Sequence, residues 1–295
     1  MALPDAGNSI SLQQVNVELG NTGTDAINMG SSAVRTLFDD ASGAISMSDG
    51  FGKSNELGLT ASAASSANLK TLFDNNTAGS WAGSTAKRFT IGASTTMGII
   101  TAPASMGGTL IIDLAGAIQG VAGSANGGAG ATAMTIQSAN ITINMASGSS
   151  ISGGGGGGGQ GGTGGQGRFT ICQNSNNCGG TGIGSCHQDE DVICQYTTSG
   201  GAGGAGGIGQ GYGQSAANGS SGAGGGTQAG TGGAGGNGAA FGAAGAAGSA
   251  GGNGTYTSGS AGSGGGAAGR AITFSGLSAY TIIGTASGTI NGAYT

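Results

Sequence analysis

The sequence is poor in the residues from which most enzymes and membrane proteins are built. The 295-residue chain has 7 Lys and Arg, 12 Asp and Glu, one His and 4% aromatic residues. So few cations leave no basic surface for phosphates, which argues against a nucleic-acid partner. The shortage of titratable and aromatic side chains disfavours a catalytic pocket, and no apolar run approaches the length of a membrane span. We therefore expect no enzymatic activity, no cofactor, no metal and no membrane insertion.

Proline is scarce and glycine is abundant. The chain has 2 prolines and 73 glycines, whereas glycine averages roughly 7% of residues in soluble proteins. Collagen requires glycine at every third position together with abundant proline, so the shortage of proline excludes it. Because glycine has no side chain to bury, a conventional apolar core cannot hold the whole chain together.

The cysteines suggest where the protein works. The segment Met1–Asp5 shows neither the basic stretch nor the apolar run of a secretory signal, so we expect synthesis in a host cytoplasm. Four clustered cysteines are nevertheless typical of oxidising surroundings. Their spacing favours two disulfides. The alternatives are free thiols and a zinc site that includes His187. A virion protein that is released by lysis and acts outside the cell fits both observations. The cysteines are Cys172, Cys178, Cys186 and Cys194.

Composition divides the chain into six stretches. Within the first, Ser32–Phe38 predicts a short helix capped by a serine, and within the second Trp81 is predicted to be a local packing anchor. The predicted stretches are a small N-terminal attachment module (1–55), an irregular connector with short strands (56–98), β-repeat units leading into glycine-rich segments (99–166), a Cys-stapled loop (167–198), a polyglycine II region (199–270) and a C-terminal β-repeat unit (271–295).

An internal repeat is the most informative pattern. Ala133–Gly153 and Ala271–Gly292 align with each other, and Leu110–Gly120 is a shorter copy. Alternating β-branched residues broken by glycine predict short strands with one buried face. The two copies at Leu110 and Ala133 pass directly into glycine-rich sequence, which predicts a β-stranded body from which glycine segments extend. The alternative is chance similarity between β-rich segments of a biased sequence.

Some glycines recur with a period of three, as at Gly242, Gly245 and Gly248. Three residues per turn is the period of an extended left-handed helix that forms no internal hydrogen bonds. Glycine lets such helices approach closely enough to pair backbone with backbone, which predicts a polyglycine II helix bundle, or sandwich. The alternative is a flexible linker. The predicted fold class is therefore mainly β with irregular glycine-rich structure.

Candidate binding residues lie in and beside the cysteine-containing stretch. Asp189, Glu190 and Asp191 form an acidic cluster that suits either a hard cation or a solvated loop. Aromatic side chains in exposed loops are effective recognition anchors, and Tyr196 and Tyr212 are the tyrosines predicted to occupy loop tips. We assign these five residues to receptor binding and none to metal binding.

Several motifs resemble phage tail proteins. Ile10–Gly20, Ala33–Leu37 and Ser42–Ser54 look like the N-terminal module of many tailed-phage tail proteins. Strand units that end in Ile-x-Gly and pass into Gly-Gly-Gly-Gly runs resemble glycine-rich tail-fibre and receptor-binding proteins. In T-even-like tail-fibre tip adhesins, glycine-rich motifs form a polyglycine II sandwich whose connecting loops bind a surface receptor. The long β-rich units and the cysteine-containing island depart from that pattern.

The resemblance implies a tail fibre or spike of a bacteriophage virion, an adhesin-like structural protein. Its N-terminal module would bind other tail or baseplate proteins, and loops within 168–196 and 209–222 would bind a bacterial surface glycan or protein. Many fibres are homo-oligomers, usually trimers, whereas a glycine bundle can also close within one chain. The alternatives are a head or neck decoration fibre without a receptor, an antifreeze-type polyglycine II protein, and a depolymerase.

Overall fold

The computed structural model describes residues 3–53, 55–76, 80–174, 191–275, 281–283 and 288–294. These residues form a mainly β structure with few helices, which confirms the predicted fold class at that level. Three parts follow one another in space: a small helical module, a stack of parallel strands and a glycine-rich bundle.

The N-terminal module has an apolar cluster of its own. Its elements are α1 (Leu12–Glu18), α2 (Ser32–Phe38) and a 3₁₀ helix (Met47–Gly50). The Ser31 hydroxyl accepts a hydrogen bond from the Val34 N–H at 3.4 Å, so α2 is capped by a serine, as the sequence predicts. The buried cluster consists of Leu3, Val15, Val34, Leu37 and Phe38.

Three parallel sheets follow the module. Sheet I contains β1 (Glu56–Thr60), β3 (Ala86–Ile91), β6 (Leu110–Leu114), β9 (Ile141–Met145) and β14 (Thr281–Ile283). Sheet II contains β4 (Thr96–Met97), β7 (Ala117–Gln119), β10 (Ser150–Ser152) and β15 (Thr289–Asn291). Sheet III contains β2 (Ser66–Asn68), β5 (Ile99–Ala102), β8 (Met134–Ile136) and β13 (Ile272–Phe274). A separate pair, β11 (Gly167–Asn174) and β12 (Asp191–Thr198), is an antiparallel hairpin.

From β3 onward the chain visits sheets I, II and III in turn, so each circuit adds one strand to each sheet. We call this arrangement the solenoid. Residues one circuit apart lie side by side, as Phe89, Ile112 and Ile143 do in sheet I. The aligned sequence units are neighbours too, with Ile290 opposite Ile151. Alternation along each strand turns these apolar side chains inward, where they form one core.

Residues 56–98, for which the sequence predicts an irregular connector with short strands, supply β1 to β4 to these sheets, together with α3 (Leu69–Asn76). Trp81 is fully buried beside Phe73, with ring centroids 6.1 Å apart. Its Nε1–H donates to the Ala104 carbonyl at 3.2 Å. Trp81 is thus a packing anchor, as predicted.

Both glycine-rich excursions leave the solenoid at one corner, between sheets II and III. The connection is a single residue, Gly98, between β4 and β5, but it comprises residues 120–133 between β7 and β8 and residues 153–271 between β10 and β13. The strands on either side of the longest insertion stay paired with their neighbours in the solenoid. The corner therefore accepts insertions because the pairing of its flanking strands does not depend on the length of the connection.

Residues 153–166, here called the central segment, form the middle of the glycine-rich bundle. Every N–H in this run donates a hydrogen bond, and the acceptor changes in rotation along the chain. The N–H groups of residues 155, 158, 161 and 164 donate to carbonyls in 199–210 at 2.8–2.9 Å. The N–H groups of residues 156, 159, 162 and 165 donate to carbonyls in 243–252. Those of residues 154 and 157 donate to carbonyls in 128–131, and those of residues 160, 163 and 166 donate to hydroxyl groups in 257–263. Backbone carbonyls accept most of these hydrogen bonds, and serine and threonine hydroxyls accept the rest.

The neighbours of the central segment determine where glycine is required. A Cβ on Gly157 would lie 1.8 Å from the Ser124 carbonyl oxygen, so a neighbouring backbone occupies that space. The excursion 120–131 turns back near this level, and beyond it Gln160, Thr163 and Gln166 carry exposed side chains. The central segment therefore carries side chains on this side only beyond the point where the excursion 120–131 no longer lies beside it. The segments around the start of the central segment are 120–124, 128–131, 199–210, 230–242, 243–254 and 257–270.

Lys87 is a fully buried cation in the solenoid. Its ammonium group donates to three backbone carbonyls, those of Gly83, Thr85 and Gly107, at 2.8–2.9 Å. Burial lowers the pKa of Lys87 below its ordinary value, and the coulombic attraction of Asp74 opposes that shift. The lysine therefore ties two loops together at one end of β3.

We expect Gly158→Ala to destabilise the chain by about 1–3 kcal/mol or more, the cost of overpacking. The new Cβ would lie 1.9 Å from the Gly236 carbonyl oxygen, which would push two bonded segments apart. The control is Gly264→Ala, because a Cβ there has no atom within 4 Å. Denaturant unfolding of both variants provides the measurement. Equal midpoints for the two would contradict close packing around the central segment.

We expect Lys87→Met to lower the free energy of unfolding by about 2 kcal/mol, because three buried carbonyls lose their donor, whereas Lys70→Met, at an exposed ion pair, should lower it by less than about 1 kcal/mol.

Lys87 should also make the free energy of unfolding depend on pH. Because folding lowers the pKa of Lys87, the unfolded chain binds more protons between the folded-state pKa and the ordinary lysine value of about 10.4, so this group makes stability rise as pH increases through that window. The unfolding free energy of the wild type, measured from pH 8 to 10, should therefore rise relative to that of Lys87→Met.

Candidate functional site

Three connections lie together at the end of the bundle that is far from the solenoid. They are the β11–β12 hairpin, the turn at 226–229 and the turn at 254–257, and we call this end the tip. The turns at 211–214 and 240–243 lie at the near end, where the Tyr212 N–H donates to the Gly120 carbonyl and the Gly242 N–H to the Gly153 carbonyl. At about 3 Å per residue of extended chain, the central segment places the tip on the order of 40 Å from the solenoid.

Hydrogen bonds join the three connections into one surface. The Thr255 hydroxyl accepts from the Arg168 N–H at 2.9 Å and lies 3.1 Å from the Arg168 carbonyl. The Thr255 N–H donates to the Gln228 carbonyl at 3.0 Å. On the other strand of the hairpin, the Thr198 hydroxyl donates to the Thr227 carbonyl at 2.6 Å. Residues far apart in the chain are therefore fixed relative to one another at the tip.

Arg168 and Tyr256 form the most distinctive pair at the tip. The guanidinium carbon lies 3.6 Å from the centroid of the Tyr256 ring, which is a close cation–π contact. Tyr256 is 48% exposed. The Nε of Arg168 is buried without a hydrogen-bond partner, and its guanidinium forms no hydrogen bond or ion pair within the described structure. The tip thus carries a cation on an aromatic ring with its donors unused.

The hairpin contributes a second aromatic pair. Phe169 and Tyr196 lie opposite each other in the register, and their rings stack with centroids 5.7 Å apart and an interplanar angle of 22°. Two residues further along the strand, Ile171 is 37% exposed. The ribbon therefore presents apolar area close to the bundle.

The structure separates residues that the sequence groups together. Tyr196 lies near the tip but is half-buried in strand β12 and not in a loop, whereas Tyr212 lies in a turn as predicted, half-buried at the near end. The two predicted binding loops are thus at opposite ends of the bundle, because the chain runs the full length of the bundle between them. Asp191 begins β12 opposite Asn174, and the predicted residues Asp189 and Glu190 lie outside the described residues.

The cysteine prediction is only partly within the described structure. Cys172 is opposite Ile193 and Cys194 is opposite Ile171, so these two cysteines occupy adjacent pairs of the ladder and not the same pair. Cys178, Cys186 and His187 lie outside the described residues. The structure describes only the backbone of Cys172 and Cys194, so the two disulfides stay a prediction.

Other functional features were sought in the described ranges. Within them, no three His, Cys, Asp or Glu side chains lie close enough together to hold a metal ion. None of the helices described has the length and apolar character needed to cross a bilayer. A cleft of about 380 Å³ between β1, β2 and α3 is lined by apolar and small polar side chains, without a charged one among the described lining residues.

Sequence reasoning missed the pairing of Arg168 with Tyr256. Each residue is inconspicuous alone, and the contact joins positions far apart in the chain. One signal was present, because Arg168 is the single Lys or Arg between Arg88 and Arg270. An isolated cation in a long uncharged stretch is a candidate for a specific role.

A solved structure similar to this chain is the gp37-gp38 adhesin tip complex of the bacteriophage S16 long tail fiber. The two chains share 16% sequence identity, the match covers 96% of each, and the TM-score is 0.44. No protein-family model and no curated protein matches the chain.

We expect Thr255→Val to loosen the tip without unfolding the bundle. The substitution removes the hydroxyl that bonds the Arg168 backbone, so exchange of the Arg168 amide should accelerate by about fivefold, for a bond worth about 1 kcal/mol. The control is Thr231→Val, because the Thr231 hydroxyl has no hydrogen bond in the described structure. Hydrogen exchange followed by NMR provides the measurement. Unchanged exchange at Arg168 would show that the turn at 254–257 does not hold the hairpin.

Proposed function

We propose that this chain is a phage virion protein, a tail fibre or spike, that attaches to the host cell surface through the tip. The observation that carries the proposal is the convergence of the hairpin and two turns, from distant parts of the sequence, on one surface at the far end of the bundle. In this proposal the chain binds and does not catalyse. It would be made in the host cytoplasm and act outside the cell as part of the virion.

The bundle would supply the rigid support that such a surface needs. We infer that its segments are polyglycine II helices, because the direction of the N–H bonds rotates through three neighbours every three residues. Close approach supports the same inference, since a Cβ on Gly161 or Gly206 would lie about 2 Å or less from a neighbouring carbonyl oxygen. Loops held in place on such a support lose less entropy on contact than free loops do.

The residues at the tip suit recognition. Arginine and tyrosine are enriched among residues that dominate binding energies, and aromatic rings bring large contact area at low entropic cost. Tyr256, Arg168 and the Phe169–Tyr196 pair provide these groups on one end of the molecule. At the opposite end of the chain, the N-terminal module would bind other tail or baseplate proteins. Several copies on one virion would add avidity.

Two exposed tyrosines allow a matched test. Tyr256 at the tip is 48% exposed and Tyr294 beside the solenoid is 52% exposed. We expect Tyr256→Ala to weaken binding of the labelled full-length chain to intact host bacteria by about thirtyfold, the loss of a hot-spot residue. Tyr294→Ala should bind like the wild type. Saturation binding across a panel of bacterial strains provides the measurement.

Two results would argue against the proposal. Equal loss in both variants would place binding outside the tip. A folded chain that binds no strain of the panel would favour a head or neck decoration fibre without a receptor.

A further inference from the structure

We propose that Arg168 and Tyr256 form a subsite for an anionic group carried by a surface glycan. The inference rests on the proposed function, in which the tip contacts the host surface. It adds the chemical class of the ligand and the residues that read its charge.

The charge distribution isolates Arg168. It is the one Lys or Arg among residues 89–269. Arg270 is the last residue of the bundle segment 257–270 and lies beside the solenoid, at the other end of the bundle from the tip. Along the hairpin, the backbone of Asp191 lies six ladder positions from Arg168, or about 20 Å at the rise of a β-strand. That distance exceeds the Debye length of about 8 Å at physiological ionic strength. The positive charge at the tip is therefore not neutralised by the described protein.

The hydrogen-bonding groups of Arg168 are also unused. A guanidinium has five N–H donors in a planar fork that matches the geometry of a carboxylate or phosphate. Its Nε is buried with no partner, and leaving a buried donor unpaired is unfavourable. An anionic ligand would meet the fork at the other two guanidinium nitrogens, which are not among the buried atoms, and the change in charge would be felt at Nε. A lysine could not replace the arginine fully, because an ammonium neither stacks on the ring nor offers a planar fork.

The surroundings of the cation favour a sugar as the carrier of the negative charge. Arg168 covers one side of the Tyr256 ring, and almost half of Tyr256 remains exposed, which leaves aromatic surface for the apolar side of a sugar ring. The exposed residues beside the pair are neutral and carry hydroxyl or amide groups, which suit the hydroxyls of a glycan. These residues are Gln166, Thr197, Thr227, Gln228, Thr255 and Thr257.

The test uses the full-length chain and three probes of similar length: a hyaluronan oligosaccharide (carboxylate), a phosphorylated mannan oligosaccharide (phosphate) and a neutral dextran oligosaccharide. Calorimetry gives affinities, and the NMR signal of the Arg168 Nε–H reports contact with the ligand. We expect at least one anionic probe to bind more tightly than dextran, to shift the Arg168 signal and to bind more weakly as salt increases. Comparison of the two anionic probes distinguishes carboxylate from phosphate.

Three variants distinguish the subsite from general effects of charge. Arg168→Gln should weaken binding of the anionic probe at least tenfold, and Arg168→Lys should recover part of that loss. Lys70→Gln removes one positive charge from an exposed side chain on α3, far from the tip, and should have no effect. Circular dichroism of each variant shows whether the fold is retained.

The failure of this inference differs from the failure of the proposed function. Equal binding of dextran and the anionic probes, no binding of either anionic probe, or unchanged affinity in Arg168→Gln would each overturn the anionic subsite. Cell binding that depends on Tyr256 would leave the attachment role standing. Cell binding that protease treatment of the bacteria abolishes, but removal of surface glycans does not, would assign a protein receptor and overturn the glycan class.

Discussion

The backbone hydrogen bonds of the central segment are the interaction on which the rest of the structure depends. An extended chain with no internal hydrogen bonds must pair its peptide groups with water or with neighbouring backbones. Here the neighbours supply every acceptor for the N–H groups of residues 153–166. Pairing on several sides brings backbones so close that a Cβ is excluded, as at Gly154 and Gly158. The high glycine content is the direct consequence.

The solenoid and the bundle stabilise each other through the corner at which they meet. Ordering a glycine-rich chain costs more backbone entropy than ordering any other. Paired strands already fix the two ends of the insertion, since β10 and β13 belong to sheets with several other strands. The bundle also bonds directly to the solenoid, because the Gly153 N–H donates to the Asn291 carbonyl at 2.9 Å. Anchoring the ends reduces the entropy that the bundle must lose when it forms.

Local chemistry made several features predictable. Ser31 and the apolar spacing of Val34, Leu37 and Phe38 specify a capped helix, and alternation along Ile141–Met145 specifies a strand with one buried face. Two features of the site were not accessible. Tyr212 and Tyr196 are separated because the bundle reverses its direction at each turn. Arg168 contacts Tyr256 because the central segment and the segment that ends in the turn at 254–257 both reach the tip, although their sequences show no sign that they are neighbours.

The sequence by itself determined the mainly β class, the capped helix of the module and the three-residue glycine spacing, because each depends on neighbouring residues and the backbone geometry they allow. The tertiary structure decided the parallel order of the three sheets, the corner from which the bundle extends and the composition of the tip. Those features depend on which backbone lies beside which, and glycine carries no side chain to specify a partner. Arg168, Thr255 and Gln228 share one surface because the lengths of the bundle segments between successive turns bring all three residues to the same end of the bundle.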